Sequence, residues 1–350
     1  MTHNLNIWLA AYMRQALAPT PLADATHALT LHLAVADHFE PLGGGADQKT
    51  AYRRLATWEK HLPLLCREIG DSFGRPPQHT FFYPLEDYQP KVLDRLSALC
   101  VRGLGDVEVH LHHEGETSAQ LEDKLASYAE KLHLRHGLLR RDPATGKIVY
   151  GFVHGNWALD NSLPGGRWCG VNDELKVLAR SGCYADFTLP AAPSPAQTRT
   201  INAIYYATDD PQRPKSHDYG REVAVGLPPA GDLLIVQGIL ALNWQKRKWG
   251  FLPRIENSDL GAHRPPEPGR IPLWLRFAPR VRGAENHLFI KLSCHGAPER
   301  HFDALLGNTA RRFLEHLATN YTKGRYRLKF VTCWEMVQAV HALEKGEEPK

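Results

Sequence analysis

The chain has 350 residues, 43% hydrophobic and 23% charged, the balance of a soluble globular protein with room for one large α/β domain or two modest ones. Its net charge of +4 comes without a basic block that could track a phosphate backbone, so nucleic-acid binding drops out of the leading readings. Nineteen histidines are the unusual count, and because imidazole carries protons near neutral pH and ligates metals, their placement matters.

The opening "MTHNLNIWLAAYMRQALAPTPLAD" lacks a basic stretch followed by a long apolar core and reads as a short helix, not a signal peptide. No later run reaches the roughly 18 apolar residues of a membrane span. Cys66, Cys100, Cys169, Cys183, Cys294 and Cys333 are scattered with no C-x-x-C pair, which favours reduced thiols and a cytoplasmic location. "ALTLHLAVADHF" (28–39) alternates as a strand, and the spacing of Leu55, Trp58, Leu62, Leu65 and Ile69 predicts a helix over 49–74. "HTFFYP" (79–84) is a short aromatic strand, "YQPKVLDRLSALCVRG" a second helix and "DVEVHLHH" a third strand. "TSAQLEDKLASYAEKLHLRHG" starts with a capping-box pattern at Thr117 and Gln120 and stops at Gly137.

"IVYGFVHGNWALDN" (148–161) and "ELKVLARSG" (174–182) follow, then the apolar runs "DLLIVQGILALNW", "PLWLRFAPRV" and "HLFIKLSCHGAPE". A helix "FDALLGNTARRFLEHLATNY", the run "YRLKFVT" and "WEMVQAVHALEKG" close the chain. This βαβαβα order predicts an α/β fold in which helices cover a largely parallel sheet or barrel. The Pro- and Gly-rich segments 190–230 and 253–270 are expected as insertions or lids on a single domain spanning 1–350.

Polar residues gather where the strands are expected to end. Asp37, His38 and Glu40 follow the first, Glu86 and Asp87 the second, and His110, His112 and His113 the third. His154 and Asn156 follow the fourth, Asp186 a later one and His295 one near the end. In parallel α/β folds such ends share a face where ligands bind, so these groups are expected to converge. A carboxylate with imidazole partners and open water positions can lower the pKa of a metal-bound water to about 7.

"LTLHLAVADHFEP", "DVEVHLHHEGE", "HLFIKLSCHG" and "YRLKFVTCWEMV" resemble, in order, motifs of the polysaccharide deacetylases (NodB-homology superfamily, carbohydrate esterase family 4). The resemblance implies a distorted (β/α)7 barrel of the TIM-like kind. It also implies a divalent-metal hydrolase, zinc being the leading candidate, that cleaves the amide of an N-acetylated sugar. Carried over residue by residue, Asp37, His110 and His112 become metal ligands, with Glu116 as a fourth. His295 protonates the leaving amine, Asp186 orients it, and Asp37 is the base if the register shifts, since the usual base position falls on Ala34. His154, Asn156, Trp157 and Glu40 are the expected carbohydrate-binding groups, Trp157 offering a flat apolar face to a sugar ring.

Two other readings stay open. A carboxylate-dependent glycoside hydrolase would use a pair drawn from Glu40, Glu86 and Asp186. A catalytically silent carbohydrate-binding barrel would fit the loss of the base at Ala34.

Overall fold

The computed structural model describes residues 4–19 and 28–349. Helix α1 is Leu5–Leu17, strand β1 Leu29–His38, α2 Gln48–Cys66, β2 His79–Pro84, α3 Pro90–Val101, β3 Gly105–Leu111 and α4 Ser118–His136. Next come β4 (Arg140–Arg141), β5 (Ile148–His154), α5 (Glu174–Arg180), β6 (Cys183–Asp186), β7 (Ile204–Ala207), β8 (Arg221–Glu222) and β9 (Leu233–Val236). The last part contains β10 (Ala241–Lys248), β11 (Leu252–Glu256), β12 (Asp259–Leu260), α6 (Ile271–Phe277) and β13 (His287–Cys294). It ends with α7 (Phe302–Leu306), α8 (Asn308–Asn320), β14 (Tyr326–Phe330) and α9 (Cys333–Glu344).

The protein is a mixed α/β molecule with a largely parallel sheet in the order β12-β13-β1-β2-β3-β5-β6-β9-β7-β8. β1 is its hub. It pairs with β13 along one edge, and along the other with β14 first and then β2. Both faces of the parallel strands are buried, which is why these strands read as apolar on both sides. On one face Leu31, Leu33, Phe81 and Val109 pack with Trp58, Leu96 and Leu125 from α2, α3 and α4. On the other, Ala34, Ala36, Phe82, Val153 and Phe289 pack with Met336, Val337 and Val340 of α9. The alanines leave room for that helix to fill the concave side of the sheet.

The sheet curls until its two sides nearly meet. No ladder joins β9 to β13, but Ser258 stands between them: its Oγ accepts from the Ile239 N–H (2.8 Å) and donates to the Ile239 carbonyl (3.0 Å). Its own carbonyl accepts from the Ser293 N–H of β13 (3.0 Å). Lys291 crosses the concave side to donate its ammonium to the carbonyls of Phe187 and Leu189.

Several elements depart from the sequence reading. The helix expected over 49–74 stops at Cys66, and Asp71 then turns the chain by accepting from the N–H groups of Phe73 and Arg75. The single helix expected from Phe302 breaks at Gly307, which is extended. "PLWLRFAPRV" contains a helix that opens with Pro272 in its first turn. The segment 190–230 is not wholly an insertion, because it supplies β7 and β8, and β7 pairs antiparallel with β9. From 253–270 come β11, which forms a hairpin with β10, and β12, which pairs with β13. Among the described residues no helix is long and apolar enough to cross a membrane, and all six cysteines are free.

Candidate active site at the strand ends

The C-terminal ends of β1, β2, β3, β5 and β13 lie side by side, and the residues just past them form one polar cluster. Strand alternation sends His110 and His112 to the same face, with their rings 4.7 Å apart. His38, on the concave face of β1, lies 4.9 Å from the His110 ring and 4.6 Å from the His295 ring. Trp157, 38% exposed, has its ring 6.4 Å from that of His295.

A chain of hydrogen bonds runs through this cluster. His110 Nδ1 donates to the Val153 carbonyl (2.8 Å), and its Nε2 lies 3.0 Å from Glu40 Oε1, so one proton is shared at that contact. His112 Nδ1 meets Glu86 Oε1 at 2.5 Å, the backbone N–H of His112 donates to the same oxygen (3.1 Å), and its Nε2 faces Glu40 Oε1 at 3.8 Å. Glu40 therefore receives two imidazoles and Glu86 orients one of them. Burial would raise the Glu40 carboxyl, but the His110 hydrogen bond and the His110, His295 and His112 charges outweigh it and hold the group below its ordinary range. Asp87 goes the other way, raised by burial and then by the negative charges of Glu86 and Glu40. Burial lowers the His112 ring, yet Glu86, Glu40 and Asp87 bring it above its usual value. His38, buried beside three other histidines and Lys291, is held well below.

Asp37 does not join this cluster. It lies on the opposite face of β1 from His38, fully buried, where Oδ1 accepts from the Gly296 N–H (2.6 Å) and Oδ2 is 2.8 Å from His79 Nε2. Glu116 is also elsewhere, paired with Lys124 and 3.4 Å from His113 Nδ1. The four-ligand set Asp37, His110, His112 and Glu116 is thus not assembled, and its residues do not fit the metal of a deacetylase. Asp186 does not orient His295: Thr188 donates to it from both its N–H (3.0 Å) and its hydroxyl (2.6 Å). Burial raises Asp186 to about 6 against those hydrogen bonds and Lys291. Asn156 and Trp157 both have left-handed backbone. His154 is buried behind them, its Nε2 3.0 Å from His113 Nε2, and does not face the cluster at the strand ends.

Ligand atoms of His38, Glu40 and His110 are close enough to share an ion, as are those of Asp37, His79 and Cys294, and of His113, His154, Cys169 and Glu174. The third group is absent from the sequence reading as a unit. Its signal was the alternation that puts His113 on the face opposite His110 and His112; Cys169 and Glu174 carry no periodic signal, because both follow an irregular loop.

No family model matches the chain, and no curated protein matches it. Among solved structures it is similar to a GH57 branching enzyme from Thermococcus kodakaraensis, at 10% identity and a TM-score of 0.44 over 92% of this chain and 72% of that one. It is also similar to a 4-alpha-glucanotransferase from Thermococcus litoralis, at 12% identity and a TM-score of 0.40 over 89% of this chain and 40% of that one. The placement of the expected ligands corrects the deacetylase resemblance. The zinc ligand set on which amide hydrolysis would depend is split across the two faces of β1.

Proposed function

We propose that the strand-end cluster is a carboxylate-dependent site acting on a glycosidic bond. One observation carries this reading: carboxylates from two strand ends converge on one pair of imidazoles, Glu40 Oε1 3.0 Å from His110 Nε2 and Glu86 Oε1 2.5 Å from His112 Nδ1, and beside them Glu40 is held low while Asp87 is pushed up. Environments that push paired carboxyls apart divide the roles of ionised base or nucleophile and proton donor. Glu40 is the ionised partner, kept so by His110 and His112. Asp87 is the proton donor to the departing sugar oxygen. Glu86 positions His112, and the exposed Trp157 stacks on a sugar ring.

The test is turnover of a panel of 4-nitrophenyl glycosides by the wild type, Glu40→Gln and Asp87→Asn. Each substitution is expected to cost about 10²- to 10⁴-fold in kcat. Trp157→Ala is expected to act mainly through KM. Wild-type turnover that survives Glu40→Gln unchanged overturns the assignment of Glu40, and a wild type inert toward every glycoside overturns the reading as a whole.

A further inference from the structure

Behind the strand-end cluster lies a second convergence that the proposed chemistry does not use. His113 follows β3, His154 ends β5, Cys169 sits in the irregular loop 155–173, and Glu174 starts α5; all four are buried. His113 Nε2 is 3.0 Å from His154 Nε2 and 3.1 Å from Glu174 Oε1, and His154 Nε2 is 3.4 Å from the same oxygen. Cys169 Sγ is 3.4 Å from Glu174 Oε2, and one ligand atom from each of the four residues lies within 4.8 Å of all the others. Ligands on a tetrahedral ion with bonds of 2.0–2.3 Å stand about 3.3–3.8 Å apart, close to this spacing.

Proton accounting points the same way. His154 Nδ1 donates to the Gly155 carbonyl (2.5 Å), which leaves Nε2 as a bare lone pair aimed at another imidazole. One proton on His113 Nε2 has to be divided between His154 Nε2 and Glu174 Oε1, a three-centre arrangement at best. His113 Nδ1 faces Glu116 Oε2, and neither atom has a hydrogen-bond partner. An ion between the two Nε2 atoms resolves this, because each ring then turns its Nδ1–H outward, to a carbonyl in one case and a carboxylate in the other. Metal-bound histidines are held by such outer partners. Cys169 Sγ accepts from the N–H groups of Asn161 (3.3 Å) and Val171 (3.4 Å) and donates its own proton to Glu174 Oε2 (3.4 Å), which also accepts from the Asp160 N–H (2.5 Å).

We propose that His113, His154, Cys169 and Glu174 bind one divalent transition-metal ion that clamps the loop 155–173. Two imidazoles and a sulfur favour a transition metal over magnesium or calcium. Four protein ligands leave no open position, so the ion is structural. Such an ion would span an irregular loop. That loop has no regular secondary structure beyond short 3-10 turns, and Asn156, Trp157, Asp160, Asn161 and Trp168 all have left-handed backbone.

The experiment uses the whole protein without a histidine tag, purified without chelator. Elemental analysis is expected to find about one transition-metal ion per chain. Metal-free protein given Co2+ should develop tetrahedral d–d bands and a thiolate-to-cobalt charge-transfer band. Cys169→Ser should abolish the charge-transfer band while leaving d–d absorption. Glu116→Gln, which touches His113 only from outside, should weaken Co2+ binding about 10- to 100-fold. A wild type that holds no metal and gives no bands with Co2+ overturns the proposal, as does a cobalt spectrum that Cys169→Ser leaves unchanged. If His154→Ala fails to fold, the wild-type titration and Cys169→Ser still decide.

Discussion

Replacing Asp37 by alanine removes the acceptor for two buried groups at once, the Gly296 N–H and the His79 ring. Leaving a buried hydrogen-bonding group without its partner costs about 1–3 kcal/mol, so urea denaturation of Asp37→Ala should show a loss of at least that order, with the protein's metal content per folded chain unchanged. A stable variant that had lost metal would instead restore Asp37 as a ligand. His32 makes a different kind of prediction. It is buried, its Nε2 is 3.1 Å from His287 Nδ1, and burial, then His287 and Lys329, hold its pKa well below 6.5. A ring kept neutral by the fold but protonated in the unfolded chain makes the unfolded state bind more protons, so stability falls as pH drops below about 6.5. His38 has the same sign. The urea midpoint should therefore decline from pH 7 to pH 5, and His32→Phe should make that decline shallower; equal slopes in both proteins would remove His32 from the account.

At the scale of elements, β5 meets the site through a glycine. A Cβ on Gly155 would run into the His112 ring and backbone, so Gly155→Ala should push His112 away from Glu86 and lower activity on the same glycoside panel. Unchanged pH–rate profiles would show that this approach is not used. Much of this layer was legible in the sequence. Strand β2 has the expected bounds, α4 has its capping box at Thr117 and its left-handed stop at Gly137, and the polar residues past β1, β2 and β3 were visible as a pattern. Which of those residues meet was not. Asp37 and His38 are neighbours in sequence but lie on opposite faces of one strand, and a one-residue choice of face decides whether Asp37 is a site residue or a structural one. The loop 155–173 was illegible for another reason, since left-handed Trp and Asn residues follow no periodicity.

For the whole molecule, Ser258 ties the chain just past β9 to β13. Ser258→Ala would leave the Ile239 N–H without its acceptor and is expected to cost about 1–3 kcal/mol, with faster amide exchange at Ile239 than in the ladders of β1. Wild-type protection at Ile239 in the variant would mean that the seam is held in some other way. The pairing of β1 has a consequence for synthesis. Thr30 is matched to His287 and Leu29 to Tyr326, so along much of its length the strand at the centre of the sheet waits for partners made about 260 to 300 residues later. At about 5–20 residues per second a ribosome needs on the order of 10–50 s to deliver them. Through that interval Leu29, Leu31, Leu33, Ala34, Val35 and Ala36 of the nascent β1 lack the strands that flank them in the fold, and a premature stop would leave that edge open for good.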